Sequence, residues 1–355
     1  MTDHAPARER VWLGRLGRLL DLGTSPEVRQ DDDARHRQFE ELILGGPRRY
    51  TRAQLLAESG MDPDLMIQLW RSLGFAEVPD DEVVFTEGDR DALSQLELLR
   101  QAGLLPVAVE DAVARSVGQA MAGLADWQIE MLYQLFDYGH RTVDEREMME
   151  ITERVIPLLE QMQGYVWRRH LAAAAGRVLA ATPDESETHT LTVGFADLVG
   201  FTRATRRLSP TDLTKLIGDF QGVATDVVAT CRGRVVKTVG DEVLFVADAA
   251  PDCVEIALQL VERLAATPSL PELRIGLAVG EVVTRFGDVY GEAVNIAARL
   301  TAHARPGRIL VDRNLAATLE HDSRFQLHSR RPLAVRGYRH LQQWELTRAD
   351  SESSS

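Results

Sequence analysis

The polar segment Thr182-Pro183-Asp184-Glu185-Ser186-Glu187 separates two halves whose hydrophobic periods differ, and a chain with two periods cannot fold as one repeating architecture. Upstream, Val155, Leu158, Met162 and Tyr165 recur every three or four residues, as on a helix face. Downstream, Thr190-Leu-Thr-Val-Gly-Phe-Ala196 alternates in the manner of a strand. A length of 355 residues suits two domains. Charge divides at the same place. Residues 1–187 hold 34 acidic residues against 20 arginines, a net of −14, while residues 188–355 hold 20 of each sign.

This balance excludes several classes. An acidic chain lacks the basic face that nucleic acid requires, so no nucleic-acid partner is expected. Two cysteines, Cys231 and Cys253, make neither a disulfide framework nor a zinc motif. No apolar run approaches the roughly 20 residues that span a bilayer. The first residues, with Asp3, Glu9 and scattered arginines, do not form a signal peptide. The expected location is cytoplasmic.

The first half reads as all-α. Residues 1–45 are helical by spacing, with Ser25-Pro26 as a turn and Asp31-Asp32-Asp33 as a helix start. Residues 50–87 predict helix, Gly60 turn, helix, and a short strand at Val83-Val84-Phe85-Thr86. That outline resembles the winged helix-turn-helix start of a MerR-type regulator. Residues 46–80 nevertheless carry four Arg and five acidic residues, which favours the shape without the DNA binding. Residues 89–148 predict helices broken near Gly103 and Gly123, and residues 150–180 one long helix that Pro157 kinks or starts. Met121, Met131, Met148, Met149 and Met162 add soft apolar surface. Core packing explains them first, and a fatty acid or other lipid ligand second. The expected domains are a helical regulatory domain at 1–150, a transducing helix and linker at 151–187, a catalytic domain at 188–347, and a disordered tail at 348–355.

Chemistry concentrates in the second half. The strand ending at Asp197 runs through Leu198-Val-Gly-Phe201-Thr202 into a helix. A strand-end carboxylate can hold a cation, and free amides at a helix start can hold phosphate oxygens. Arg234-Val-Val-Lys237-Thr-Val-Gly240-Asp241-Glu-Val-Leu-Phe-Val246 predicts two strands around a Gly-Asp turn. Two carboxylates at neighbouring strand ends can share paired divalent ions for in-line displacement at phosphorus. The third segment is Gly287-Asp288-Val-Tyr-Gly291-Glu-Ala-Val-Asn295-Ile-Ala-Ala-Arg299, in which Asn295 and Arg299 share one helix face.

Taken together, these segments resemble the class III nucleotidyl cyclases, over roughly residues 188–346. The resemblance implies an α+β catalytic domain with a ferredoxin-like, palm-type βαββαβ core, preceded here by an all-α regulatory domain. It assigns Asp197 and Asp241, with Leu198 beside them, to two Mg²⁺ or Mn²⁺ ions per active site. Lys237 and Asp288 become the purine readers, with Phe201 and Thr202 also contacting substrate, and Asn295 and Arg299 the transition-state pair. Where many relatives carry Lys-Gly near the C-terminus, this chain has Arg336-Gly337, and Arg336 is assigned to phosphate. A Lys donor and an Asp acceptor complement the N1 and N6 edge of adenine, whereas guanine has the opposite polarity there. The implied activity is conversion of ATP to 3′,5′-cyclic AMP and pyrophosphate in a homodimer whose sites draw residues from both subunits. The helical half resembles that of mycobacterial-type cyclases with pH- or lipid-responsive regulatory domains, and His140 and His170 are the candidate titrating groups. Two alternative classes lack the residues they require. A diguanylate cyclase needs a Gly-Gly-Asp/Glu-Glu-Phe turn, which Val239-Gly-Asp-Glu-Val243 lacks. A nucleotide-sensing DNA-binding regulator needs a basic recognition helix, which residues 50–75 lack.

Overall fold

The structure, a computed structural model, describes residues 37–137, 145–180, 188–335 and 337–349. It divides into two compact units that meet between Ala174 and Ala175. The expectations for residues 1–36, for His140 and for the C-terminal tail lie outside the described residues, apart from Arg348 and Ala349 at the tail's start.

The first unit is helical: α1 (37–44), α2 (Arg52–Ser59), α3 (Pro63–Ser72), α4 (Glu87–Gln101), α5 (Val107–Asp137) and α6 (Glu145–Ala180), which runs on into the second. Local chemistry sets the short helices. Thr51 and Gln54 form a reciprocal capping box at the start of α2, and Gly60 ends that helix in the left-handed region at φ 67°. Asp62 caps α3 with Pro63 in its first turn. Leu55, Met61, Met66 and Phe85 form the small core, and the Trp70 ring stands 5.1 Å from Phe85 edge-on. The strand expected at 83–86 is a single bridge between Tyr50 and Phe85. Thr86 and Asp89 form a second capping box there, which turns the chain into α4 before a strand can extend. Gly123 does not break α5, because one interior glycine costs a helix only about 1 kcal/mol. Pro157 lies inside α6, which begins before residue 150.

The second unit is one sheet with helices on both faces. Its elements are β1 (Thr188–Leu198), α7 (Phe201–Ala204), α8 (Pro210–Thr230), β2 (Arg234–Val239), β3 (Glu242–Ala247), α9 (Ala250–Ala265), β4 (Leu273–Arg285), β5 (Asp288–Tyr290), α10 (Glu292–His303), β6 (Ile309–Val311), α11 (Arg313–Thr318), β7 (Phe325–Val335) and β8 (Tyr338–Arg348). The sheet order is β2-β3-β1-β4-β6-β8-β7, with β5 paired to β4. The first part, β1-α8-β2-β3-α9-β4, is the expected βαββαβ core, and its strand pairs are antiparallel.

Alternation along β1 distributes the two cores. Ala196 and Leu198 join the cluster with α8 and α9, while Val193 and Phe195 join the one with α10. Both cysteines are free thiols and buried. On the second face α10 lies directly against β4. A Cβ on Gly276 would stand 2.4 Å from both the Ala297 carbonyl oxygen and the Thr301 nitrogen, and one on Gly280 would stand 3.3 Å from the Ala293 Cβ. Ala293, Ala297 and Thr301 are spaced four apart, so small residues on helix and strand mesh at one seam.

Gly276→Ala therefore has no room and should destabilise the protein by about 1–3 kcal/mol. Gly222→Ala, in open space on α8, should be neutral or stabilise by up to about 1 kcal/mol. Urea denaturation midpoints of the two variants against the parent check this difference.

Candidate active site

Asp197 ends β1 opposite Glu242 of β3 and Arg274 of β4. Its odd position puts it on the α10 face with Val193 and Phe195. The chain beyond it is held on both sides: the Leu198 N–H donates to the Asp241 carbonyl at 3.1 Å and the Val199 N–H to the Glu272 carbonyl at 2.8 Å. Asp241 follows Gly240, whose φ of 60° lets the β2–β3 turn close tightly. The Asp197 carboxyl lies close enough to Asp241 to act on its ionisation. Burial pushes the Asp241 carboxyl above its ordinary value, and the Asp197 charge adds to this. Glu242 is pushed up in the same way, by burial first and then by Asp197 and Asp241.

Among the described residues Arg274 pairs directly with this cluster, and the Lys237 charge acts on Glu242 from farther off. Arg274 places Nε and Nη2 each 2.5 Å from Asp197 Oδ2, and donates from Nη1 to the Ala302 carbonyl of α10 at 3.2 Å. Arg274 and Glu242 were not singled out in the sequence. Arg274 opens a strand 77 residues from Asp197, and only the β1–β4 register reveals the meeting.

Among the described residues no cluster of three or more His, Cys, Asp or Glu side chains is arranged to hold a metal. The Asp197–Asp241 pair does fit hard divalent ions. It offers only oxygen donors, its charges repel one another, and it leaves coordination positions for water and phosphate, as Mg²⁺ and Mn²⁺ require.

The second pair is Lys237 and Asp288. A bulge in β2 between Val235 and Lys237 adjusts the side-chain register, and Lys237 Nζ reaches Asp288 Oδ2 at 2.5 Å. The Val289 N–H donates to Asp288 Oδ1 at 2.9 Å. Burial opposes the Asp288 charge most strongly, but Lys237 and the Val289 amide outweigh it and hold the carboxyl below its ordinary value.

The third pair lies on α10. Asn295 and Arg299 are both exposed on one face, opposite buried Ala293, Ala297 and Leu300. Beside them burial, then the Glu292 charge, raise the Tyr338 phenol, and Arg299 acts in the opposite direction. Phe201 packs against the α8/α9 core, so any substrate contact from it falls to the backbone at α7, whose N-cap Gly200 makes no side-chain cap. The Thr202 side chain and Arg336 lie outside the described residues.

The six residues thus stand as three pairs. Among the described residues no hydrogen bond or ion pair links one pair to another.

Residues 184–348 match the adenylate and guanylate cyclase catalytic domain family. The chain is 46% identical over 285 residues to an adenylate cyclase of Streptomyces coelicolor, covering 79% of this chain and 74% of that one. An adenylate cyclase of Glutamicibacter nicotianae is 36% identical over 341 residues, covering 91% and 84%. A pH-sensitive adenylate cyclase of Mycobacterium tuberculosis is 31% identical over 304 residues, covering 82% and 76%. The first of these identities runs well upstream of the catalytic unit, and the chain belongs to the class III adenylate cyclases.

Because burial and Asp197 raise the Asp241 pKa in the folded state, the Asp241 charge opposes folding at neutral pH. That opposition fades as pH falls through the carboxyl range. Asp241→Asn should therefore raise the melting temperature of metal-free protein by a few degrees at pH 7 and by less near pH 4. It should also remove most of the stabilisation that Mn²⁺ confers on the parent. Thermal melts at the two pH values, with and without Mn²⁺, check both points.

Proposed function

We propose that the chain converts ATP to 3′,5′-cyclic AMP and pyrophosphate, at sites built by two copies and governed by the helical unit. The observation that carries the substrate assignment is the Lys237–Asp288 contact at 2.5 Å. The ammonium has donors left to offer adenine N1, and the carboxylate accepts from the N6 amine. The ion pair holds both groups ready before the base arrives. Guanine presents an N–H at N1 and a carbonyl at C6, and would leave each group facing its own kind.

Asp197 and Asp241, with Leu198 alongside, would hold divalent ions, whose positive charge would ease ionisation of the ribose 3′-hydroxyl and bind the phosphates. Arg274 orients Asp197. Asn295 positions the ribose, and Arg299 offsets charge that grows on the phosphorus oxygens in the transition state. The exposed face carrying Asn295 and Arg299 meets neither of the other pairs, which supports their completing the site of a second copy.

Control from the first unit is supported by α6, a helix of 36 residues that spans both units. At about 1.5 Å per residue it transmits rotation or separation over roughly 50 Å. His170, the candidate histidine among the described residues, lies exposed on this helix. Exposed Met121 and Met162 support a lipid as an additional ligand. No described helix is long and apolar enough to cross a membrane.

With Mn²⁺, ATP should be turned over and GTP scarcely at all, and Asp197→Ala should abolish turnover while keeping the fold. Equal mixing of Asp197→Ala with Asn295→Ala protein should restore about a quarter of parental activity. Half of the dimers are then mixed, and each mixed dimer has one intact site. No recovery would remove the shared site. The pH profile between about 6 and 8 should flatten in a chain beginning near residue 185. Matching profiles in the two chains would end the histidine assignment.

A further inference from the structure

The catalytic unit holds a second charged feature that none of the three pairs uses. A cleft of about 390 Å³ opens where the C-terminal end of α10 meets β6 and the β7–β8 hairpin. His303, Arg305, Arg308, Arg330 and Arg331 line it. One carboxylate, Glu345, stands among them, 8% exposed. Its Oε1 receives Arg308 at 3.0 Å and its Oε2 receives Arg330 at 2.5 Å. Both oxygens are thereby committed, and the carboxylate holds two guanidiniums at the cleft wall rather than neutralising the set. Four arginines against one glutamate leave a local charge of about +3.

Arg305 and Arg331 have no acidic partner among the described residues. The Arg308 N–H donates to the Arg305 carbonyl at 3.0 Å, so a tight turn brings both side chains to one wall. On the floor, Gln343 donates from Nε2 to the Arg331 carbonyl at 2.7 Å, while its Oε1 is buried without a donor. That acceptor is fixed, because the other end of the amide is already engaged.

We infer that this cleft is a second anion site, taking a diphosphate-class ligand: free pyrophosphate, or the phosphate tail of a nucleotide. Guanidiniums grip phosphate oxygens in forked pairs. Arg305 in the turn and Arg331 on the strand, free of acidic partners among the described residues and flanked by the two guanidiniums that Glu345 holds, can each take one phosphate group of a diphosphate, whose charge near −3 matches the local excess. The cleft begins one turn past Arg299 on α10, where His303 Nδ1 lies 2.9 Å from the Arg299 carbonyl oxygen. It contains neither the candidate metal aspartates nor the purine pair, so it does not rest on the catalytic reading.

Titration calorimetry on the full chain in EDTA tests this without turnover or metal. Inorganic pyrophosphate should bind the parent and the Asp241→Asn variant alike, more weakly as salt rises, and orthophosphate should bind more weakly still. Arg305→Glu combined with Arg331→Glu should weaken pyrophosphate at least about tenfold. Neither side chain holds Glu345, so the melting temperature should stay near the parental value. If it falls, Arg331→Gln alone replaces the pair and should still weaken binding. ATP in EDTA distinguishes the sources. Loss of ATP binding in the double variant assigns the nucleotide tail, and pyrophosphate binding without ATP binding assigns the free diphosphate. No pyrophosphate binding by the parent, undiminished binding by the variants, or orthophosphate binding as tight as pyrophosphate would each overturn the inference.

Discussion

The close approach of α10 to β4 fixes most of what the catalytic unit presents. Side chains at 276 and 280 would hold the helix off the sheet, and their absence lets Ala293, Ala297 and Thr301 settle against the strand. Thr301 Oγ1 lies 2.9 Å from the Ala297 carbonyl oxygen and 3.2 Å from that of Phe195, tying the helix to β1 as well. Gly291, at φ 156° with its Cβ position 2.6 Å from the Glu281 carbonyl oxygen, allows the abrupt entry into the helix. Three consequences follow from this one seating. Asp288 is delivered to Lys237 just before the helix begins. Asn295 and Arg299 face outward. The Ala302 carbonyl arrives where Arg274 can bridge it to Asp197. A shift in α10 would disturb all three pairs together.

The three pairs are electrostatically different. Lys237 and Asp288 are mutually satisfied, so the carboxylate remains ionised and the ammonium remains directed. Asp197 and Asp241, with Glu242 beside them, are an anionic cluster that Arg274, and Lys237 at Glu242, only partly offset. Arg299 has no acidic partner of its own among the described residues, and the Tyr338 phenol near it is raised by burial first and by Glu292 second, with Arg299 acting the other way. One pair is balanced, one is overloaded with negative charge, and one is positive. A polyanionic nucleotide with divalent ions is the kind of ligand that relieves the last two at once.

Legibility in the sequence followed locality. Asp197, Asp241 and Asp288 each sit where a strand ends or turns near a glycine, a signal complete within ten residues. Alternation and turn chemistry marked β1 and the β2–β3 hairpin, and the full βαββαβ order came only with the family resemblance that the motifs carry. Arg274 and Glu345 could not be found this way, since each acts through a partner that sheet register supplies from elsewhere in the chain. The first unit misled at its edges for a related reason. Val83-Val84-Phe85 has strand composition, but the Thr86–Asp89 capping box competes for the same backbone and wins. The linker segment marks the change of hydrophobic period, yet the compact units meet earlier, inside α6, because a helix can pass from one core to the next without any break in its own pattern.

Net charge alone concealed the most useful contrast. The second half sums to zero, but its charges are segregated: carboxylates gather at the ends of β1 and β2, and arginines at the end of α10 and along β7. Residue choice sharpens the pattern. The chain contains 38 arginines and two lysines, and one of those lysines is Lys237, in contact with Asp288. A forked guanidinium suits the places where two oxygens must be gripped, as where Arg348 takes both oxygens of Glu255 or Arg274 bridges Asp197 Oδ2 and the Ala302 carbonyl. A single ring nitrogen offers one lone pair in one direction, and a compact ammonium on a flexible stem meets it without presenting surplus donors to a flat base. Lysine at 237 is thus consistent with the proposed reading of an adenine edge, while the other lysine, Lys215, has no such explanation.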